Sequence, residues 1–245
     1  MRFGKMGARP LVKSWSARDY VQNGLVAMWD GIEDAGWGIH DPNATTWKDL
    51  VGSNDITLPS GSGMYFGDSF LHRGLSGILN TGVDVCKFNS TTEMLIDVSN
   101  ENIASENGRF FGSSSVAKRF EIDSYSSVPS QAPRIYYRRA GYSSNSTSSG
   151  NFGRSSSWGL WSIRYTIDDT GTLEVSDLVS NKKVSLPGSL DKNFYSGVSL
   201  LLGSWDNNNG PLISNIYSVR RYNKVLTSDE QAYNYNIDKL RFNLP

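Results

Sequence analysis

Residues 160–167, LWSIRYTI, alternate without a break. Trp161, Ile163, Tyr165 and Ile167 fall on one parity; Ser162, Arg164 and Thr166 fall on the other. Side chains two apart share a face of a strand, so this segment buries one face and leaves the other polar. The DDTG at 168–171 supplies turn residues, and TLEVSDL at 172–178 returns as a hairpin partner. A chain organised around such a hairpin must find other sheet faces to cover it, because a two-stranded hairpin is only marginally stable alone.

The rest of the sequence offers those faces. LVAMW (25–29) is apolar on both parities, as a strand covered on both sides would be. GSNDITL (52–58), TEMLIDV (92–98), KRFEID (118–123), RIYYR (134–138), VSLLLG (198–203) and IYSVRRY (216–222) read as further strands. If KRFEID and RIYYR pair, acids on one face arginines on the other, each pair adding about 0.2–1 kcal/mol. Trp29 and Trp161 are assigned to the core. SSNSTSSGNFGRSSS (143–157) is of low complexity, cannot build a core, and reads as a long loop. Near the end, Thr227 and Glu230 have the spacing of a helix capping box, and Tyr233, Ile237 and Leu240 form an apolar stripe at i, i+4, i+7. Many strands closed by one short C-terminal helix indicate an all-β fold, a two-sheet antiparallel sandwich with a helical latch.

One residue does not fit. In the strand at 216–222, Tyr217, Val219 and Arg221 share a parity, so an arginine stands where an apolar residue belongs. A buried, unpaired guanidinium is prohibitively costly. Arg221 is therefore expected to have a carboxylate or carbonyl partner, or to lie near the sheet's end with its stem buried and its head in water.

Bulk properties exclude several classes. With 24 Lys and Arg against 24 Asp and Glu, no net field draws the chain to nucleic acid or an anionic membrane. No window approaches the roughly 18 apolar residues of a membrane span. A single cysteine, Cys86, excludes an intrachain disulfide and a cysteine-built zinc site. Residues 1–20 carry Arg2, Lys5, Arg9, Lys13 and Arg18 against Asp19 and no following apolar run, so they read as a basic arm, either solvated or docking onto a larger assembly, and not as a secretory signal. The expected division is arm 1–20 and sandwich domain 21–245.

Three stretches carry a resemblance. GLVAMWDG resembles the first core strand of laminin-G-like (LamG) jelly-roll domains of the concanavalin A-like superfamily. WGLWSIRYTIDDTGTLEV resembles their central hairpin, and LLLGSW with ISNIYSVRRYNKVLTSDEQAYNY resembles their closing signature, over roughly residues 24–242. At the place of Arg221 that signature usually carries an apolar residue. The resemblance implies two antiparallel sheets, binding of glycans or proteins more often than catalysis, and in some members calcium at the rim. WDGIEDAGWGIHDPNATTWKDLVG (29–52) resembles openings of such modules in phage structural proteins and bacterial surface proteins.

Chemistry-bearing patterns are few. The superfamily's glucanases carry three acids on one strand; here Glu121 and Asp123 share a face, but Tyr125 and Ser126 stand where the third acid belongs, and the pair reads as surface acids balanced by Arg119. Asp30, Glu33, Asp34 and Asp41 cluster hard oxygens that could hold calcium, with ordinary Asx turns as the alternative. Trp205 with Asp206, Asn207 and Asn208 combines an aromatic platform with flat polar partners, as glycan binding requires; Trp37 and Trp158 are further platforms. The expectation is a non-enzymatic structural or adhesive module, a fibre or capsid-decorating component of a phage virion released by lysis, with glycan as ligand. Its arm would contact other virion proteins, with no nucleic-acid partner and no membrane insertion, and a fibre would be a homotrimer. A carbohydrate-binding domain of a bacterial cell-surface protein is the alternative, and a glycoside hydrolase the third reading.

Overall fold

The computed structural model describes residues 15–74, 76–98, 108–115, 117–123, 133–149, 152, 159–204 and 212–244. In chain order the strands are β1 (Leu25–Asp30), β2 (Thr46–Trp47), β3 (Ile56–Thr57), β4 (Tyr65–Phe66), β5 (Leu71–Arg73), β6 (Leu79–Asp84), β7 (Ser90–Val98) and β8 (Arg109–Ser113). They continue with β9 (Glu121–Asp123), β10 (Arg134–Arg138), β11 (Asn145–Ser149), β12 (Gly159–Ile167), β13 (Thr172–Asp177), β14 (Lys182–Ser189), β15 (Ser199–Leu202) and β16 (Ser214–Tyr222), and end in helix α1 (Ser228–Arg241).

Among the described residues the strands form three sheets. An eight-stranded sheet runs β14-β13-β12-β7-β16-β5-β4, with β1 also on β16; a six-stranded sheet runs β11-β10-β9-β8-β15-β6; β2 and β3 form a ribbon. Strand β16 carries two neighbours on one edge, β5 along Ser214–Ile216 and β1 along Ser218–Tyr222. The expected LamG-like, two-sheet jelly roll is therefore corrected to a three-sheet arrangement. Two-residue strands such as β2 and β3 are too short to show alternation, which is why the third sheet escapes a pattern-based reading.

The two large sheets meet through their apolar faces. Phe110 of β8 lies 4.9 Å from Trp161 of β12 between ring centroids, and Phe111 lies 5.1 Å from Tyr165. Trp29, Trp47 and Trp161 are fully buried. Each such side chain contributes roughly 1.5–3 kcal/mol or more by leaving water. The hairpin read from the sequence is present, with β12 pairing β13 from Ile163↔Asp177 to Ile167↔Leu173. The segment at 143–157 is corrected in part. Asn145–Ser149 forms edge strand β11 against β10, and Phe152 is buried in the core. Backbone hydrogen bonds at an edge do not require an apolar sequence, so composition alone did not show this strand.

Helix α1 begins at the capping box as expected: the Thr227 hydroxyl accepts from the Glu230 amide and the Glu230 carboxylate accepts from the Thr227 amide. Its docking face differs. Tyr233 and Leu240 are exposed, while Asn234, Ile237 and Asp238 are buried. The reason lies on the outer face of the eight-stranded sheet, which projects Arg164, Arg220 and Glu93 toward the helix. Arg220 donates to both Asp238 oxygens at 2.6 and 2.8 Å and to Glu93 Oε2 at 3.0 Å. Asn234 also donates to Glu93, at 2.8 Å, and Arg164 to Gln231, at 2.9 Å. Burial alone would lower the Arg220 pKa; Asp238 and Glu93 outweigh it and hold the guanidinium above its ordinary value.

Arg221 points the other way, into the interior beside Val219. A bulge between Ile216 and Ser218 sets this phase, so Ile216 and not Tyr217 shares the inner face. The head is buried and paired. It donates to the Asp84 carbonyl at 3.1 Å, to the Tyr165 hydroxyl at 3.3 Å and to the Thr92 hydroxyl. The carbonyl partner agrees with the sequence expectation; a water-exposed head does not occur.

Replacing Arg220 by alanine takes the cation from buried Asp238 and leaves Glu93 with Arg164 at 3.7 Å. We expect a loss of roughly 3–5 kcal/mol in urea denaturation, because an uncompensated buried charge costs that much. Lys183→Ala, which breaks a solvent-exposed pair with Glu174, is expected to cost less than about 1 kcal/mol in the same measurement.

Candidate functional site

The outer face of the six-stranded sheet concentrates the chemistry. On β9, Ile122 packs into the core, so Glu121 and Asp123 project outward. On β10, Ile135 and Tyr137 are buried in the core and Arg134, Tyr136 and Arg138 alternate to the outside. The strands pair in register with Arg134 opposite Asp123, so one expected acid–arginine pair forms across them, while Glu121 faces Tyr136. Arg134 donates through Nε and Nη2 to Asp123 Oδ2 at 3.1 and 2.8 Å. Arg119 grips Glu121 with two bonds of 2.6 and 2.8 Å, and Arg109 adds a third at 3.3 Å.

Tyr136 sits between two cations. The Arg119 guanidinium lies 4.1 Å from its ring centroid and that of Arg134 lies 4.7 Å away. Among the described residues three arginines meet two carboxylates in this cluster. Arg119 and Arg134 remain partly exposed, with 28 % and 17 % of their side chains accessible. Partly exposed guanidiniums held in place by buried carboxylates can attract a further carboxylate from solvent. Glu121 and Asp123 are fully buried, which corrects their reading as surface acids. Burial pushes the Asp123 carboxyl up to about 6, against the opposing pull of Arg134 and Arg109. Its Oδ1 has no hydrogen-bond partner among the described residues.

The residues singled out in the sequence come to lie apart. Trp158, Trp205, Asp206, Asn207 and Asn208 lie outside the described residues. Trp37 is half-buried beneath the Arg18 guanidinium, 4.8 Å from its centroid, beside the small core around Tyr20 and Ile237. Asp30 receives Arg241 at 2.8 and 3.0 Å and the amides of Ile32 and Glu33. Glu33 receives Arg241 at 3.1 Å and the amides of Ala17 and Gly38. Asp34 accepts from the Asp41 amide at 2.9 Å and meets His40 Nδ1 at 3.2 Å; Asp41 caps the Asn43 amide. These oxygens fasten the end of α1 and a set of turns, and no group of three or more metal-ligating side chains occurs among the described residues. The end of the basic arm is part of the body, since Ala17 and Tyr20 are buried and the Tyr20 hydroxyl donates to Asp238 at 2.7 Å.

Sequence reasoning missed Arg109 and the placement of Tyr136. The alternation in RIYYR was the available signal; the approach of Arg109 and Arg119 depends on a bulge between β8 and β9 that no local pattern announces.

No family model matches the chain, and no curated protein matches it in sequence. Solved structures do. A Trypanosoma rangeli sialidase with the inhibitor DANA aligns at TM-score 0.56 and 13 % identity, over 87 % of this chain and 33 % of that one. The same sialidase with sialic acid aligns at TM-score 0.51 and 12 % identity, over 86 % and 32 %. A mutant of it displaying trans-sialidase activity aligns at 0.54 and 13 %, over 87 % and 33 %. The chain thus shares the fold of one third of these sialidases. This likeness corrects the assignment to LamG jelly rolls of phage or surface proteins. With that resemblance corrected, the structural or adhesive, non-enzymatic virion or fibre role drawn from it loses its ground.

In the unfolded chain Asp123 titrates near 3.8; in the folded chain it titrates near 6. The folded state holds the proton more tightly, so this contribution to stability is complete at low pH and is lost as pH rises through about 6. We expect the Asp123 carboxyl carbon to titrate in NMR with a midpoint near 6. Wild type should also lose stability relative to Asp123→Asn between about pH 4 and about 6.

Proposed function

We propose that this chain is a glycan-engaging part of a sialidase-type glycoside-active protein, and that its arginine-rich outer face takes an acidic sugar. The observation that carries the reading is Tyr136 lying against the partly exposed Arg119 and Arg134 guanidiniums on a paired strand. A sugar carboxylate matches the charge of the two partly exposed guanidiniums. The ligands of the structurally similar sialidases, sialic acid and its analogues, belong to that chemical class. Fold-level likeness is the weaker support, since function resides in the site.

Isothermal titration with sialyllactose and with lactose tests it. Binding of the sialylated sugar alone is expected, weakened by added salt, with Arg119→Ala and Arg134→Ala each costing about tenfold in affinity. Equal or absent response to the two sugars would sink the proposal.

One observation favours a second reading, hydrolysis by this chain itself. Glu121 is held by two arginines while Asp123 keeps its proton to about pH 6, and unequal carboxylates on one face are the raw material of glycoside hydrolysis. Release of free sugar from sialyllactose that is lost in Glu121→Gln would establish it; no release by wild type would exclude it.

A further inference from the structure

At the far end of β16 from the entry of β5, a buried cation has no carboxylate. Arg221 is 3 % exposed. Its acceptors are one carbonyl and two hydroxyls, from Asp84, Thr92 and Tyr165. A guanidinium carries five N–H donors. Both hydrogens of Nη1 are used and one of Nη2, which leaves the Nε–H and the second Nη2–H without an acceptor among the described residues. Arg164 and Arg220, the buried arginines of the opposite face, each meet Glu93. Arg221 meets no acid within salt-bridge distance among the described residues.

The guanidinium instead lines a cavity of about 280 Å³, together with Asn54, Gly82, Asp84 and Lys87. An adjoining cavity of about 360 Å³ shares Asp84 and Lys87 and adds Lys192. Across the pair of cavities three cations stand against one acid, the exposed Asp84. Burying a charge without a counter-charge is costly unless something supplies it. An arginine with spare donors at the wall of an open pocket is a common means of holding an oxyanion.

We propose that Arg221 and Lys87 form a binding site for a small oxyanion, a carboxylate or sulfate group such as acidic sugars carry. It is separate from the Tyr136 cluster. Lys87 is exposed and steers the anion; Arg221 fixes it with paired donors; the Asp84 main chain, whose carbonyl already holds Arg221, sets the depth of the site.

The test follows the Arg221 Nε–H resonance in nitrogen-edited NMR of the full chain, assigned by triple-resonance connectivity and confirmed by its absence in Arg221→Met. Sodium sulfate is titrated at constant ionic strength, then sodium glucuronate, with neutral glucose as control. We expect a saturable shift with at least one of the two anions and none with glucose, and an anion Kd at least threefold higher in Lys87→Ala, a surface change that leaves the fold intact. Sulfate and glucuronate distinguish a free inorganic anion from a sugar-borne carboxylate. A shift linear in both anions, or one unaffected by Lys87→Ala, overturns the site. Arg119→Ala should leave this titration unchanged, so failure here and failure at the Tyr136 cluster are separable.

Discussion

Arg220 is the interaction on which most of the architecture rests. Its guanidinium sits on the central strand β16, reaches sideways to Glu93 on β7 and outward to Asp238 on α1, and stacks 4.1 Å over the ring of Tyr20. Four separate segments of chain therefore share one buried charge. Such a group cannot be half-satisfied: with both acids in place it is held, and with either missing the remainder is costly. The C-terminal helix is fastened in this way by polar contacts more than by apolar burial. Arg241 repeats the device one turn later, against Asp30 and Glu33.

The same logic orders the molecule as a whole. The two large sheets spend their apolar faces on each other, which leaves two polar outer faces. One is covered by α1 and neutralised by ion pairs. The other sets Arg109, Arg119 and Arg134 against Glu121 and Asp123. The outer faces differ in role because only one has a helix to close it.

Much of the local structure was legible. The hairpin at 160–178, the pairing of Asp123 with Arg134 between β9 and β10, the burial of Trp29 and Trp161 and the capping box of α1 all follow from periodicity and from short-range hydrogen bonding. What misled was inference from likeness of motif. The closing segment resembles a LamG signature, and from that resemblance came a two-sheet jelly roll, a virion role and the absence of enzymatic activity. Asp30, Glu33, Asp34 and Asp41 read as clustered hard oxygens because they are close in sequence; that Arg241, some two hundred residues away, reaches Asp30 and Glu33 could not be read there. Arg109, which completes the grip on Glu121, was invisible for the same reason.

By itself the sequence determined the strands with clear alternation or long apolar runs, where the single long helix starts, and that Arg221 had to find an acceptor. Those are matters of alternation, capping and the cost of burying charge, and they act within a few residues. Only the tertiary structure decided that the acceptor is the Asp84 carbonyl, that α1 docks through Asp238 and not through Tyr233 and Leu240, and that Tyr136 lies between two arginines. Each of these depends on which distant strands become neighbours and on a bulge that sets their phase. The energy of a buried charge is fixed by partners that sequence spacing does not reveal.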